Sequence, residues 1–157
     1  MKTMTTTLVA LAMLVAGSVV SAAPAKADGA ALAQGGFQFI GRNGALRTVE
    51  FTATRDARNN QRGNGHFFNH VSGVNFRFVI DCLYVSGNVA TMSGRIVDAD
   101  PAFPYMWLQV IDNGEGSKSL ADLTSGFYAM EDDYPCTEDP DPSYSDLAVT
   151  GGNIQVR

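Results

Sequence analysis

The sequence is short of positive charge and of chemically reactive side chains. It has 11 Lys and Arg against 16 Asp and Glu, with two Cys, two His and one Trp. Nucleic acid is not an expected partner, because binding it needs a basic surface. The charge is also uneven: residues 28–97 hold seven Arg and four acids, whereas residues 98–157 hold twelve acids and two basic residues. Such asymmetry indicates either a cation site or an acidic loop that keeps the protein soluble.

No apolar run in the sequence is long enough to span a bilayer. The run from Leu8 to about Val20 has thirteen residues, against the roughly 20 that a membrane helix needs. It follows the basic Lys2 and precedes an A-x-A pattern that ends at Ala27, which is the layout of a secretory signal peptide over residues 1–27. The absence of a Cys after the run argues against a lipid-modified N-terminus.

Cleavage after Ala27 would leave a mature chain of 130 residues, and a second cleavage site is available at Ala22. This chain would carry nine basic and sixteen acidic residues, a net charge of −7. We therefore expect a secreted, extracytoplasmic protein with no transmembrane segment in its mature part.

The two Cys are predicted to form one disulfide, since two Cys in an exported protein are usually oxidised to a disulfide outside the cytoplasm. Cys82 and Cys136 lie 54 positions apart, and chain entropy then predicts a stabilisation of about 4 kcal/mol. Two free thiols are the alternative. A zinc site is disfavoured because two Cys without nearby His do not complete a zinc shell.

The mature sequence lacks helical periodicity. Short runs alternate between apolar and polar residues and are broken by Gly and Asn, with turn signals roughly every eight to twelve residues, as in antiparallel sandwiches and barrels. We predict a single all-β domain over residues 37–157, an antiparallel β-sandwich or small barrel of about eight strands. The small and polar residues 28–36 are predicted to be a flexible N-terminal tail.

The clearest predicted strand runs from Val74 to Val85, and its alternation places Cys82 on the core face. A three-residue loop at Ser86–Asn88 follows, because that length keeps apolar residues together across the hairpin. It sets three pairs opposite each other: Phe78 and Ile96, Ile80 and Gly94, and Cys82 and Met92.

The hairpin before this strand is predicted to turn at Ser72-Gly73. A two-residue turn sets Phe67 opposite Phe78 on the inner face. It also sets Phe68 opposite Arg77 on the outer face, where a cation–π contact would contribute about 0.5–1 kcal/mol.

The run "VNFRFVIDCLYVSGNVATMSGRIV", followed by "LQVIDNGEG", resembles a loosely defined group of exported bacterial all-β proteins. Members share a Cys-bearing strand, a G-N turn, a Gly-ended strand and a V-x-D-N-G-E-like segment. The resemblance covers roughly residues 51–116. It implies the all-β fold and export, and it assigns no catalytic role to any residue.

Few residues are candidates for catalysis. His66 and His70 lie four apart in a predicted strand, about 13 Å from each other, which is too far to chelate one ion. We expect both at the surface or at a loop edge. No G-x-S-x-G motif is present, and a core position for Cys82 does not suit a reactive thiolate.

Tyr105 and Trp107 alternate with Met106 and Leu108. If the latter fill the core, the two aromatic side chains face outward and are partly exposed. Exposed aromatic pairs on a sheet can stack on sugar rings or receive a partner protein. Tyr105 and Trp107 are therefore candidate ligand-binding residues. The alternative is that the acidic loop or a second sheet covers them.

Two acidic stretches are candidates for weak calcium binding. Asp112 and Glu115 flank an Asn-Gly turn dipeptide, and Asp139 and Asp141 imitate the start of a calcium loop. The imitation then fails, because a Tyr stands where such a loop needs Gly and a Thr where it needs the bidentate Glu. We favour an Asx-type turn at Asp112 and a solvated acidic loop over residues 131–146.

These features predict a secreted, non-catalytic β module that binds an extracellular protein, a glycan or a surface. No cofactor is expected beyond weak calcium. The alternative is a small secreted hydrolase in which the carboxylates of "DNGEG" and of the acidic stretch converge on one cleft.

Overall fold

The computed structural model describes residues 29–97, 102–115, 119–136 and 141–157. In these ranges eight antiparallel strands form a closed barrel in chain order, and the last strand pairs with the first. The predicted all-β fold is confirmed, and of the two predicted architectures the structure is the barrel. The strands are β1 Ala31–Ile40, β2 Leu46–Arg55, β3 Gln61–Asn69, β4 Asn75–Ser86, β5 Val89–Ile96, β6 Tyr105–Ile111, β7 Leu123–Met130 and β8 Leu147–Val156.

The interior of the barrel is filled by its own side chains. An eight-stranded barrel is just wide enough for side chains to fill it or for one small ligand. Here Phe127 packs against Phe67, Phe76 and Phe78, with ring centroids 5.0, 5.3 and 5.0 Å away. Large side chains therefore occupy the space in which a barrel of this size could hold a small ligand. The largest fully buried apolar side chains are Phe37, Phe39, Val49, Phe78, Ile80, Leu83, Met92, Met106, Leu108, Val110 and Ile154.

The first strand corrects the predicted N-terminal tail. β1 begins at Ala31, and its residues pair with β2 on one side and with β8 on the other. Small residues are required here because the neighbouring backbone is close: a Cβ on Gly35 would lie 2.8 Å from the carbonyl oxygen of Asn153. Residues 31–36 are therefore part of the barrel. The predicted signal peptide over residues 1–27 lies outside the described residues.

The register predicted for the β3–β4 hairpin is wrong by two residues. Phe67 is opposite Phe76, and Arg77 is opposite His66 rather than Phe68. The turn is longer than two residues, since the backbone N–H of Asn69 donates to the carbonyl of Val74. The side chain of Asn69 accepts hydrogen bonds from the backbone N–H groups of the next turn residues, which stabilises the longer turn.

The β4–β5 hairpin begins in the predicted register and then departs from it. The pairs Phe78–Ile96 and Ile80–Gly94 are present, but a bulge follows and Cys82 lies opposite Ser93. Ser86 pairs with Val89, so the turn has two residues, with positive φ at Gly87 as primed hairpin turns require.

The bulge lies between Ile80 and Cys82 and moves every later side chain of β4 to the opposite face. Leu83 and Val85 are buried in the core as a result, and Cys82 faces outward. The predicted core position of Cys82 is therefore wrong.

The barrel closes through a short seam. Within the described residues β7 pairs with β8 through Leu123–Ala148 and Thr124–Leu147, whereas β1 pairs with β8 along most of its length. In these ranges the residues of β7 after Thr124 are therefore not paired with β8. In the segment that connects β7 to β8, Cys136 and Ser145 lie against the outer wall, through a disulfide to Cys82 and a hydrogen bond to Gln109.

Candidate ligand cleft on the outer wall

A disulfide holds this connecting segment against the barrel. Cys82 of β4 and Cys136 are joined, with their Cα atoms 5.8 Å apart, which confirms the predicted pairing. We call residues 131–146, between β7 and β8, the acidic loop. Cys136 is only 1% exposed, so this part of the acidic loop lies tightly against the wall. The outward position of Cys82, created by the bulge in β4, makes the bond geometrically accessible.

A buried hydrogen-bond network fixes the other end of the acidic loop. The hydroxyl of Ser145 donates to the side-chain carbonyl of Gln109, at 2.9 Å, and the amide of Gln109 donates to Thr91 Oγ1, at 3.2 Å. All three residues are buried, with Gln109 at 0% exposure. Buried polar groups are costly when unpaired, so this network favours one position of the loop over β5 and β6.

Asp141 shapes the short 3-10 turn at Pro142–Tyr144 between these two anchors. Its carboxylate accepts a hydrogen bond from the backbone N–H of Ser143, at 2.9 Å. This bond lowers the pKa of Asp141 below its ordinary value. The predicted calcium candidate thus caps the turn that contains Tyr144.

Four aromatic side chains meet between the anchors and form a cleft. The ring centroid of Trp107 lies 5.9 Å from that of Tyr128, 6.4 Å from that of Tyr134 and 6.0 Å from that of Tyr144. With Met130 these rings line a cavity of about 320 Å³. The three Tyr are 42%, 45% and 57% exposed, so the cleft opens to solvent. We call these five residues the aromatic cleft.

The structure separates the two predicted aromatic residues. Tyr105 and Trp107 are both half-buried on the outer face, but Trp107 lines the cleft and Tyr105 lies outside its lining, opposite Arg95 and Met130. The predicted partial exposure of Tyr105 and Trp107 is confirmed, and the acidic loop supplies two ring neighbours of Trp107, Tyr134 and Tyr144.

Three tyrosines of the cleft were missed by sequence reasoning. Tyr128 lies directly across from Trp107 on β7, so an alternation argument applied to that strand could have found it. Tyr134 and Tyr144 lie on either side of Cys136 in the sequence. The predicted disulfide was the signal that could have brought both of them to the outer wall.

Arg42 is a basic group that lies beside Tyr128 at the edge of the cleft. Its guanidinium donates two hydrogen bonds to the carboxylate of Asp146, at 2.8 and 2.9 Å. These bonds, and then a hydrogen bond with Tyr128, raise the pKa of Arg42 above its ordinary value. The positive charge at this edge of the cleft is thereby matched by a carboxylate.

The carboxylates of the "DNGEG" stretch are used to hold the fold. Asp112 accepts hydrogen bonds from the backbone N–H groups of Gly114, at 2.8 Å, and Val156, at 2.9 Å. The first of these is the Asx turn favoured by the sequence. Glu115 accepts bonds from the side-chain amides of Asn153, at 3.1 Å, and Gln155, at 2.8 Å. The stretch therefore ties the end of β6 to β8.

No metal centre is formed by the part of the chain that the structure describes: it contains no group of three or more His, Cys, Asp or Glu placed to hold an ion. Asp139 lies outside the described residues. His66 and His70 have separate partners, with His66 bonded to Asn75 and His70 to Thr48.

Comparison with known proteins identifies no relative: no family model, curated protein or solved structure matches the chain. In the described ranges no helix has the length and apolar character needed to cross a membrane.

Proposed function

We propose that this protein is an exported, non-catalytic binding module whose aromatic cleft takes a ligand outside the cytoplasm. The observation that carries the proposal is the group of three exposed Tyr rings arranged around the half-buried Trp107 on the outer wall. Export rests on the leader over residues 1–27 and on the resemblance to exported bacterial all-β proteins. The disulfide fits that destination.

The exposure of the Tyr rings supports ligand binding more than a role in packing the loop alone. Rings that serve only to pack a loop bury their faces, whereas the three Tyr here keep about half of their surface in contact with water. Apolar clefts with a few polar groups at the edge are the usual form of small-ligand sites. The disulfide and the Gln109 network also pre-organise the rings, which lowers the entropic cost of binding.

The alternative of a small hydrolase has weaker support: Glu115 and Asp122 line one cavity of about 490 Å³, but both carboxylates are used in hydrogen bonds to β8. That proposal needs two carboxylates facing each other across one cleft. The carboxylates of Asp112 and Asp122 instead accept backbone N–H bonds that position β8, from Val156 and Ile154 respectively.

The single Trp makes the proposal directly testable, because intrinsic fluorescence excited at the indole reports on the cleft alone. The protein would be titrated with a panel of soluble glycans, peptides and small organic cations. We expect at least one class to change Trp107 emission saturably. The variants Tyr134→Ala and Tyr144→Ala should weaken that binding, whereas Tyr105→Ala, on the same wall but outside the cleft, should leave it unchanged.

Two other outcomes would contradict the proposal. If ligands bind, as judged by calorimetry, with equal affinity to the wild type and to the two cleft variants, the aromatic cleft is not the binding site. If no member of the panel binds, the proposed function is contradicted for those ligand classes.

A further inference from the structure

We propose that the ligand of the aromatic cleft is a quaternary or fully alkylated ammonium group. This inference rests on the proposed function and names its ligand class. It is carried by two independent observations, the mutual angles of the rings and the charge of the chain segment that supplies them.

The rings form walls rather than a flat platform. Tyr134 and Tyr144 each stand at 85° to the plane of Trp107, and Tyr128 is tilted at 57°. Flat sugar rings are best received by one open aromatic face. A rounded cation is instead best received by several rings at steep angles, since each ring can then turn its negative face toward the same small volume.

The charge around the cleft favours a cation. Strand β7 and the acidic loop supply three of the four rings, and the described residues of that loop include Glu131, Asp132, Asp133, Asp141 and Asp146 but no Lys, Arg or His. Glu131, Asp132 and Asp133 are exposed next to Tyr134. The adjacent guanidinium of Arg42 is already matched by Asp146. The local field therefore attracts cations and repels anionic ligands.

The lining favours an alkylated ammonium over a primary amine. The five residues of the cleft present aromatic carbon, a thioether and phenol hydroxyls, and no carboxylate. A primary ammonium would lose three hydrogen bonds to water and would need acceptors in return. A trimethylammonium group has no N–H to satisfy, and its methyl groups can pack directly against ring faces.

Charge can be separated from shape with a matched pair of ligands. Choline and 3,3-dimethylbutan-1-ol have nearly the same shape, but the second has a carbon in place of the charged nitrogen. Trp107 emission would be followed during titration of the full mature protein with each compound, at low and at high salt, and the affinities would be checked by calorimetry. We expect saturable choline binding, at least about tenfold tighter than binding of the neutral analogue.

Variants then assign the binding to the rings. Tyr134→Ala should weaken choline binding about 2- to 5-fold, the range expected for loss of one exposed cation–π contact, and Tyr134→Phe should retain it because the ring is kept. Tyr105→Ala is the matched control outside the cleft and should bind choline as the wild type does.

The outcomes separate this inference from the proposed function. Equal affinity for the two compounds, or no saturable response to choline, overturns the ammonium inference. If a glycan or peptide then binds in a manner that depends on Tyr134 and Tyr144, the proposed function stands with another ligand class. If no ligand class depends on these rings, both fail.

Discussion

The outer wall of β2, β3 and the first half of β4 is open to solvent, whereas the described residues of the acidic loop lie against the outer wall of β5 and β6. On the open wall Glu50, His66 and Arg77 form one row across three strands, and Glu50 and Arg77 are exposed. On the covered wall Thr91, Ser93 and Gln109 are 3%, 2% and 0% exposed. Outward-facing polar residues thus have opposite environments on the two sides of one barrel.

The two walls differ in their outward side chains and in their long-range contacts. The outward side chains include Trp107 and Tyr128 on the covered wall, and Glu50, His66 and Arg77 on the open wall. The covered wall differs because the disulfide and Ser145 bring the acidic loop onto it. The comparison indicates that the acidic loop completes a site whose other residues, Trp107, Tyr128 and Met130, come from the barrel strands.

The largest expected effect comes from removing the disulfide, which should make the two walls alike. The double variant Cys82→Ser/Cys136→Ser should lower the free energy of unfolding by about 2–4 kcal/mol, because the unfolded chain gains entropy. Trp107 should become more exposed, and its emission should shift to longer wavelength. Urea denaturation and emission spectra measure both effects.

Val79→Ala is a matched control on the open wall, where Val79 is 45% exposed. It should change stability by no more than about 0.5 kcal/mol. An unchanged midpoint and emission in the Cys double variant would contradict the role of the disulfide in holding the loop.

The second expected effect comes from the buried network under the loop. Gln109→Leu removes the acceptor of Ser145 and the donor to Thr91. It should cost about 1–3 kcal/mol, since those partners remain buried without their bonds. Thermal or urea unfolding measures this loss. Gln38→Leu, at an exposed Gln on β1, should leave the free energy of unfolding nearly unchanged. An equal loss of stability at both positions would show that the buried network stabilises the fold no more than an exposed Gln does.

A smaller effect should appear at acid pH. The pKa of Asp141 is lowered below 3.8 in the folded protein, chiefly by the backbone N–H of Ser143. Its contribution to the turn is therefore complete above the ordinary pKa and is lost as the pH falls through the lower folded value. We expect Trp107 emission to change in that acid range as Tyr144 moves.

Asp141→Asn isolates this titration, since the Asn oxygen can still accept the bond but carries no titrating charge. The part of the acid transition due to Asp141 should be missing from its emission curve. Superimposable curves for the variant and the wild type would rule out Asp141 as the titrating group.

The smallest effect is expected on the open wall itself. Glu50→Gln should change the free energy of unfolding by no more than about 0.5 kcal/mol, because this carboxylate is exposed. It should also leave Trp107 emission and ligand affinity unchanged. A clear loss of binding in Glu50→Gln would show that the open wall takes part in the site.

The strand pattern allowed the fold class and the outward direction of Trp107 to be predicted, because alternation is a local property of a strand. The disulfide could also be predicted, since only two Cys are present. The Asx turn at Asp112 followed from its Asn-Gly neighbours. The fold class, the direction of Trp107 and the Asx turn depend on residues close in sequence, and two Cys allow only one disulfide pairing.

The remaining features depend on geometry that local patterns do not encode. A bulge after Ile80 reverses the direction of Cys82. The Asn69 side chain stabilises a turn longer than the two residues that the sequence pattern predicts. Closure into a barrel depends on β8 reaching β1 across the whole chain. The cleft itself joins β6, β7 and a loop, so no single segment contained its pattern.

The most direct test of the account follows the backbone amide signals and the Trp107 indole N–H signal by NMR during titration with choline. We predict saturable shifts of the Trp107 indole N–H and of Tyr128, Tyr134 and Tyr144, with no shifts at Glu50, His66 or Arg77 on the open wall. Saturable shifts confined to the open wall, or an indole signal that does not move, would contradict the claim that the loop-covered wall holds the ligand site.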